Sequence, residues 1–373
     1  MNQGPIDVVV IGAGQSGLST AYHLSRTEWS YVVLDGGGTA GGAWHHRWPS
    51  LTLSRTHRLH DLPGLALTTS PPDIPASQVV TDYFSLYERT FDLPVRRPVH
   101  VTAVREGHDG RLLVETDQGT WAARAVVNAT GTWTRPFVPY YPGIETFAGQ
   151  MLHTVDYRAA ADFRGKHVVV VGGGASAVQL LLEIADVTTT TWVTRRTPVW
   201  REGPFDETAG RQAVAMAAAA AREGRALPSI VSTTGLMRTE ATEAARARGI
   251  LDRRPMFAAI DPAGVRWADG TRQDADVILW CTGFRPAVDH LSPLHLREPG
   301  GGIKLLGTRA AREPRLHLVG YGPSASTIGA TRAGAAAVRD INRLLRSAES
   351  VAADNEPEAD ASYTVQDSRT SRS

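Results

Sequence analysis

At 373 residues the chain is longer than one hydrophobic core usually fills, so about two domains are expected. Hydrophobic residues make up 42% and charged residues 21%, the balance of an ordinary globular enzyme. With 39 basic and 38 acidic side chains the formal charge is only +1, which gives no general attraction to nucleic acid or to an anionic membrane surface. The single cysteine, Cys281, excludes an internal disulfide and a cysteine metal cluster. The N-terminus enters an apolar run without a basic or cleavable segment, and no stretch of about 18–20 uninterrupted apolar residues occurs. These features predict a cytoplasmic protein.

Residues 7–11 (DVVVI) form a short β-branched run, the signature of a strand buried on both faces of a parallel sheet. Gly12-Ala13-Gly14-Gln15-Ser16-Gly17 follows, then a helix from Leu18 and a second apolar strand, Tyr31-Val32-Val33-Leu34, that ends at Asp35. Residues 94–131 read as strands, with turns at 108–110 and 117–119. The opening pattern then returns: Val168–Val171, the loop Gly172-Gly173-Gly174-Ala175-Ser176-Ala177, a helix over 178–184 and a strand over 190–193, ending at Thr194-Arg195-Arg196. Such repetition indicates a duplicated architecture. Residues 207–250 are rich in alanine and arginine and predict helix, interrupted near Leu227-Pro228-Ser229; 264–284 predict two strands joined through 268–271. The expected fold is α/β: two Rossmann-like dinucleotide-binding domains, one inserted into the other. The outer domain takes residues 1–160 and returns over 271–345; the inserted one takes 161–270 and carries the helical segment 207–250. The polar tail, 346–373, is expected to be disordered.

In a glycine loop of this kind the first glycine permits the tight turn, the second lets the backbone approach a pyrophosphate, and the third lets helix pack on strand. The pyrophosphate then meets the unpaired N–H groups and the positive dipole end of the helix. Gly12, Gly14 and Gly17 take these roles in the first unit, Gln15 and Ser16 complete its loop, and Asp35 is placed to accept from a ribose diol. The second unit has Gly172, Gly174 and, in third place, Ala177, with Ser176 in its loop. Where the first unit has Asp35, it has Arg195 and Arg196. A carboxylate there would repel a 2′-phosphate and a guanidinium can grip one, so NADPH is expected over NADH.

Further stretches resemble the class B flavin-containing monooxygenases, within the glutathione-reductase-like flavoproteins that carry two such folds. Phe147-x-Gly149-x-x-x-His153-x-x-x-Tyr157 resembles the family's FxGxxxHxxx(Y/F), immediately before the second glycine loop. Gly41-Gly42-Ala43-Trp44 is similar to its GGxW, which implies contact of Gly42 and Trp44 with FAD. Asn128-Ala129-Thr130-Gly131 and Cys281-Thr282-Gly283-Phe284 resemble its two crossings between domains, bringing Thr130, Gly131, Thr282 and Gly283 to the cofactors. Val101 stands where the family's backbone meets the adenine. Two departures stand out. The family's flavin-side asparagine is missing, Ser54 being the nearest match in 50–57, and the Gly-Asp of related flavoproteins is replaced by Gly320-Tyr321-Gly322.

The resemblance implies hydride transfer from NADPH to FAD, capture of O2 as a flavin C4a-hydroperoxide and transfer of one oxygen atom to a small soft nucleophile, a sulfide or amine. Baeyer–Villiger ketone oxidation is second, disfavoured by Tyr157 where ketone oxidisers have Trp. A reductase passing electrons to a carrier protein is the alternative class; its disulfide-reducing version is excluded by the lone cysteine. Ser54 and His57 are the candidate catalytic residues and His153 an anchor of the interdomain linker. His45, His46, His57 and His60 lack the partners of a metal site. Trp44 and Trp48 are flavin contacts or core. The partners expected are a small substrate and O2, with no nucleic acid or membrane; a homodimer is compatible with the sequence.

Overall fold

The computed structural model describes residues 2–354 apart from 57–58, 69–70, 203–206 and 228–234. Its first sheet is built on β1 (Asn2–Ile11), flanked in parallel by β2 (Tyr31–Leu34) and by a later strand, β6 (Gly119–Asn128). The apolar run alternates between two cores. Val8 and Val10 pack with Leu18, Phe84 and Ala337, whereas Val9 and Ile11 pack with Val104, Leu316 and Leu318. β1 begins earlier than the apolar run because residues from Asn2 onward pair with β6. Strands β3 (Val95–Arg96), β4 (Val101–Glu106) and β5 (Leu112–Thr116) extend the sheet, the last two joined at the expected turn around 108–110. The strand Leu316–Leu318 returns from the far end of the chain to lie parallel to β6.

A second sheet is parallel throughout. Its strands are β7 (Gln150–His153), Val277–Trp280, β8 (Val168–Val171), β9 (Thr190–Thr194) and Arg253–Pro255, in that order. β8 lies inside it as β1 does in the first, with Val168 and Val170 on one core and Val169 and Val171 on the other. At one edge the sheet takes two strands from outside 161–270, residues 277–280 beside β8 and the linker strand β7 beyond them. Within 259–274 three short antiparallel strands form a flap of their own.

Helix α1 (Gln15–Leu24) follows β1, α2 (Ala76–Thr90) covers the same face, and α3 (Ala175–Ala185) follows β8. The alanine-rich segment forms α4 (Glu207–Glu223) and a short helix, Glu240–Ala247, capped by Thr239. Between them Leu236–Met237 pairs with Trp200–Arg201, and among the described residues of 207–250 the helix comes in two pieces. The expected tail boundary at 346 is corrected: the C-terminal helix runs Thr327–Asp354. Its polar residues are the outer face of a helix whose Ala337, Val338, Ile341 and Leu345 pack in the first core, and Arg346 and Glu349 pair with Glu28 and Arg124. Residues 355–373 lie outside the described residues.

That helix meets α1 closely at Gly334, where a Cβ would stand 2.8 Å from Ser19 Oγ and 2.9 Å from the Thr20 backbone nitrogen. Gly334→Ala should therefore force the two helices apart and cost about 1–3 kcal/mol, read as a lower urea midpoint.

Candidate active site

The first glycine loop shows why each glycine is there. Gly12 has φ +99, and a Cβ on it would stand 2.7 Å from the Ala129 carbonyl oxygen. A Cβ on Gly17 would fall 1.8 Å from the Gly12 carbonyl oxygen, so this glycine lets α1 start against β1. Gly14 differs: a Cβ there meets nothing within 4 Å, and its φ of −77 suits any residue. The space in front of Gly14 is thus open, and no side chain caps the N-terminus of α1. Open space at the second glycine, beside uncapped N–H groups, fits a pyrophosphate. Gly42 closes one side of it, with a Cβ position 3.0 Å from Gly14 Cα. Gly320, with φ +71, lies over Ser16 on another, so the return segment comes back to this loop.

Asp35 is buried at the end of β2, its Oδ1 3.4 Å from the Ala13 N–H. Its Oδ2 accepts from Arg97 Nε at 3.1 Å, and Arg97 is held in a fork by both oxygens of Glu88, at 2.6 and 2.8 Å. The Val99 N–H donates to the Asp35 carbonyl at 2.8 Å, which brings the segment leading to Val101 alongside the acid. Arg97 and Glu88 were not foreseen, because an ion pair formed between a helix and the loop after the next strand leaves no pattern in the sequence.

The crossings meet. The Phe137 N–H donates to the Gly283 carbonyl at 3.0 Å and the Ala287 N–H to that of Gly131 at 2.9 Å. Thr130 Oγ1 donates to the Ala287 carbonyl at 2.6 Å, and Thr282 Oγ1 to that of Phe137. Behind them His290 Nε2–H donates to Asn128 Oδ1 at 2.7 Å; burial pulls this imidazole down to about 4 and keeps it neutral. His153 joins the linker to the same place. Its Nε2–H donates to the Gly283 carbonyl at 3.0 Å, its ring meets Phe284 edge-on, and burial lowers its pKa. These contacts are those of an anchor. Cys281 is buried, its thiol pushed up to about 12 by desolvation.

The segment 48–55 is tied to α3. Glu183 Oε2 accepts from Ser50 Oγ at 2.7 Å and from the Tyr157 hydroxyl at 2.8 Å, and Arg55 stands 3.6 Å from Oε1. Gln179 of the same helix donates to the Arg55 carbonyl at 2.7 Å. Burial and the neighbouring carboxylate raise the Tyr157 pKa, so its hydroxyl keeps its proton and donates. Trp48 is core, edge-on to Tyr157, whereas Trp44 is only partly buried. Ser54 is exposed and shares a hydrogen bond with Thr52; His57 lies outside the described residues.

In the second unit a Cβ on Gly172 would stand 2.3 Å from the Cys281 carbonyl oxygen, and Gly174 leads into α3 without a side-chain cap. Ala177 is fully buried in the third place and Ser176 lies in the first turn. Arg195 and Arg196 are both exposed at the end of β9. Beside them, and unforeseen, Arg253 donates to the Thr194 carbonyl at 3.2 Å from a strand distant in sequence.

The family model for pyridine nucleotide-disulphide oxidoreductases matches residues 9–223. A flavin-containing monooxygenase from Stenotrophomonas maltophilia is 38% identical, covers 92% of this chain with 100% of its own and superposes with a TM-score of 0.78; a double mutant of that enzyme gives 0.80. The CzcO-like oxidoreductase of Geobacillus kaustophilus is 31% identical over 48% of this chain and 52% of its own. A Baeyer–Villiger monooxygenase of Streptomyces coelicolor is 30% identical over 52% of this chain and 38% of its own. The matched part thus spans about half the length, or less, of these curated relatives. Two glycine loops, each following a strand with parallel neighbours on both sides, define a flavoprotein of the two-dinucleotide class. The chain belongs to the pyridine nucleotide-disulphide oxidoreductase family and, within it, to the class B flavin-containing monooxygenases.

Because Gly14 has ordinary backbone angles and free space beyond it, Gly14→Val should fold yet purify without flavin absorbance; full FAD occupancy would place the pyrophosphate elsewhere. Glu183→Ala removes a carboxylate that receives two hydroxyls and faces a guanidinium. It should release the segment 48–55, seen as faster trypsin cleavage after Arg55, with a stability loss of about 2–4 kcal/mol.

Proposed function

We propose that the protein is an FAD- and NADPH-dependent monooxygenase that transfers one oxygen atom from O2 to a small soft nucleophile, a sulfide or an amine. The observation that carries this reading is the meeting of the crossings, Gly131 with Ala287 and Gly283 with Phe137, between two glycine loops of like geometry. In this reading the two dinucleotides, when bound, would meet at the crossings, as a direct hydride transfer requires. When bound, FAD supplies hydride acceptance from NADPH and activation of O2. The reaction balances as sulfide, O2, NADPH and a proton giving sulfoxide, NADP⁺ and water.

The protein's share is binding, orientation and dryness. Gly12, Gly14, Gln15, Ser16 and Gly17 receive the FAD pyrophosphate, and Asp35 the adenosine ribose, with Val101 beside the adenine. Gly42, Trp44, Thr130, Gly131 and Gly320 surround the flavin. Gly172, Gly174, Ser176 and Ala177 take the NADPH pyrophosphate, and Arg195 and Arg196 its 2′-phosphate, within a unit centred on 161–270. His153, pinned to Gly283, keeps the nicotinamide side seated, so that water is excluded while oxygen is transferred. Ser54 and His57 are the proposed catalytic residues. The Streptomyces relative named for Baeyer–Villiger chemistry supports ketone oxidation as the second reading.

The test compares NADPH consumed, hydrogen peroxide released and sulfoxide formed with methyl phenyl sulfide. Sulfoxide should account for most of the NADPH. Rapid reduction of a ferredoxin with no oxygenated product from any sulfide, amine or ketone would overturn the monooxygenase reading in favour of a reductase. Replacing Arg195 and Arg196 by Ala should raise the KM for NADPH by roughly 10- to 100-fold and leave that for NADH nearly unchanged. Equal effects on the two would remove both arginines from 2′-phosphate recognition.

A further inference from the structure

Arg47 lies three residues after Trp44, on the flavin side of the molecule. Its Nε is buried without a hydrogen-bond partner, and no carboxylate lies within ion-pair distance of its guanidinium among the described residues. The guanidinium carbon stands 4.6 Å from the ring centre of Trp133 and 5.8 Å from that of Trp44. Trp133 follows the first crossing and stacks at 5.2 Å on Phe284, which ends the second. A cation is therefore held among aromatic rings where the crossings meet. Nothing but burial acts on its pKa, drawn down to about 10. The neighbourhood adds positive charge: His46, stacked on Trp133, feels His45 and Arg158, and the one acid it feels, Asp35, is itself paired with Arg97.

A guanidinium among indole rings gains from the ring faces, but without a carboxylate or other acceptor its desolvation is uncompensated. A charge left unpaired in this way marks a candidate ligand site, and the ligand group that would compensate it is an anion. The phosphates of the two cofactors already have receivers in the reading above: helix N-termini for the pyrophosphates and Arg195 with Arg196 for the 2′-phosphate. The remaining anion is on the oxygen acceptor. Resting on the monooxygenase reading, we propose that Arg47, caged by Trp44 and Trp133, is an anion-binding determinant of the substrate site, selecting small acceptors that carry a carboxylate beside an aromatic or apolar body. The carboxylate pairs with the terminal nitrogens of the guanidinium, and the body lies along the ring faces of Trp133 and Phe284.

The experiment uses FAD-loaded wild type, Arg47→Gln and Arg47→Lys, with 4-(methylthio)benzoate and its methyl ester as probes. Binding to the oxidised protein is measured by calorimetry, and kcat/KM by sulfoxide formed. Wild type should favour the acid by roughly 10-fold or more in both measurements. In Arg47→Gln the acid-to-ester ratio should fall to about 1, and Arg47→Lys should restore part of it, because a point charge replaces a fork. FAD content and the thermal midpoint of each variant show that the fold is kept, and the partial rescue separates a charge effect from disturbed packing. Equal binding of acid and ester by wild type overturns the proposal, as does a preference that survives in Arg47→Gln. A raised Kd for NADPH or lowered FAD occupancy in Arg47→Gln, with the acid-to-ester ratio unchanged, assigns the guanidinium to a cofactor phosphate and overturns it too. If neither probe is oxygenated, calorimetry still decides the role of Arg47, and the monooxygenase reading fails separately.

Discussion

Everything in this molecule depends on one close approach, made twice. In each sheet the first glycine of the loop sits so near the carbonyl of a crossing strand that a Cβ could not fit: Gly12 against Ala129, Gly172 against Cys281. The absence of two methyl groups lets each glycine loop rest directly on the point where the chain passes between sheets. Because the crossings are hydrogen-bonded to one another, the positions of the two dinucleotide sites are linked through backbone alone. Side chains such as His153, His290 and Thr130 then brace a geometry that the backbone has already set.

The parts readable in the sequence share a physical cause. A strand buried on both faces must be apolar at every position, so 7–11 and 168–171 announce themselves, and the glycine loop after each marks where the helix begins. Turns at 108–110 and 117–119 followed from residues that favour tight reversals. The start of the tail was misplaced because a helix with one apolar face and a charged outer face has much the same composition as a disordered segment; the spacing of Ala337, Ile341 and Leu345 tells them apart. The second sheet's edge strands, 150–153 and 253–255, were missed because their pairing partners, 277–280 and 192–194, lie far from them in the chain.

The site was less legible than the fold. Residues named by motif, from Gly12 to Gly283, could be placed because a motif fixes backbone shape. Glu183, Arg97, Arg253 and Arg47 could not, since their meaning lies in what they face. Ser50 and Glu183 are 133 positions apart, and nothing in the polar spacing of α3 distinguishes Glu183 from any solvated helix residue. Arg47 is harder still, because its significance is the lack of a partner, which no reading of the sequence can register. Ser54, singled out by its place in a family pattern, is exposed and bonded only to Thr52.

The bonds of Glu183 bear on how such a protein can be rebuilt. Segment 48–55 belongs by chain order to the unit of the first sheet but is fastened to the helix that follows the second glycine loop. A chimera that imports the nicotinamide unit of a relative at the two crossings would therefore cut no backbone in that segment and still unmoor it. The transferable block is discontinuous: it includes Ser50, Arg55 and Tyr157 along with α3, and exchanging them together keeps segment 48–55 fastened to that helix.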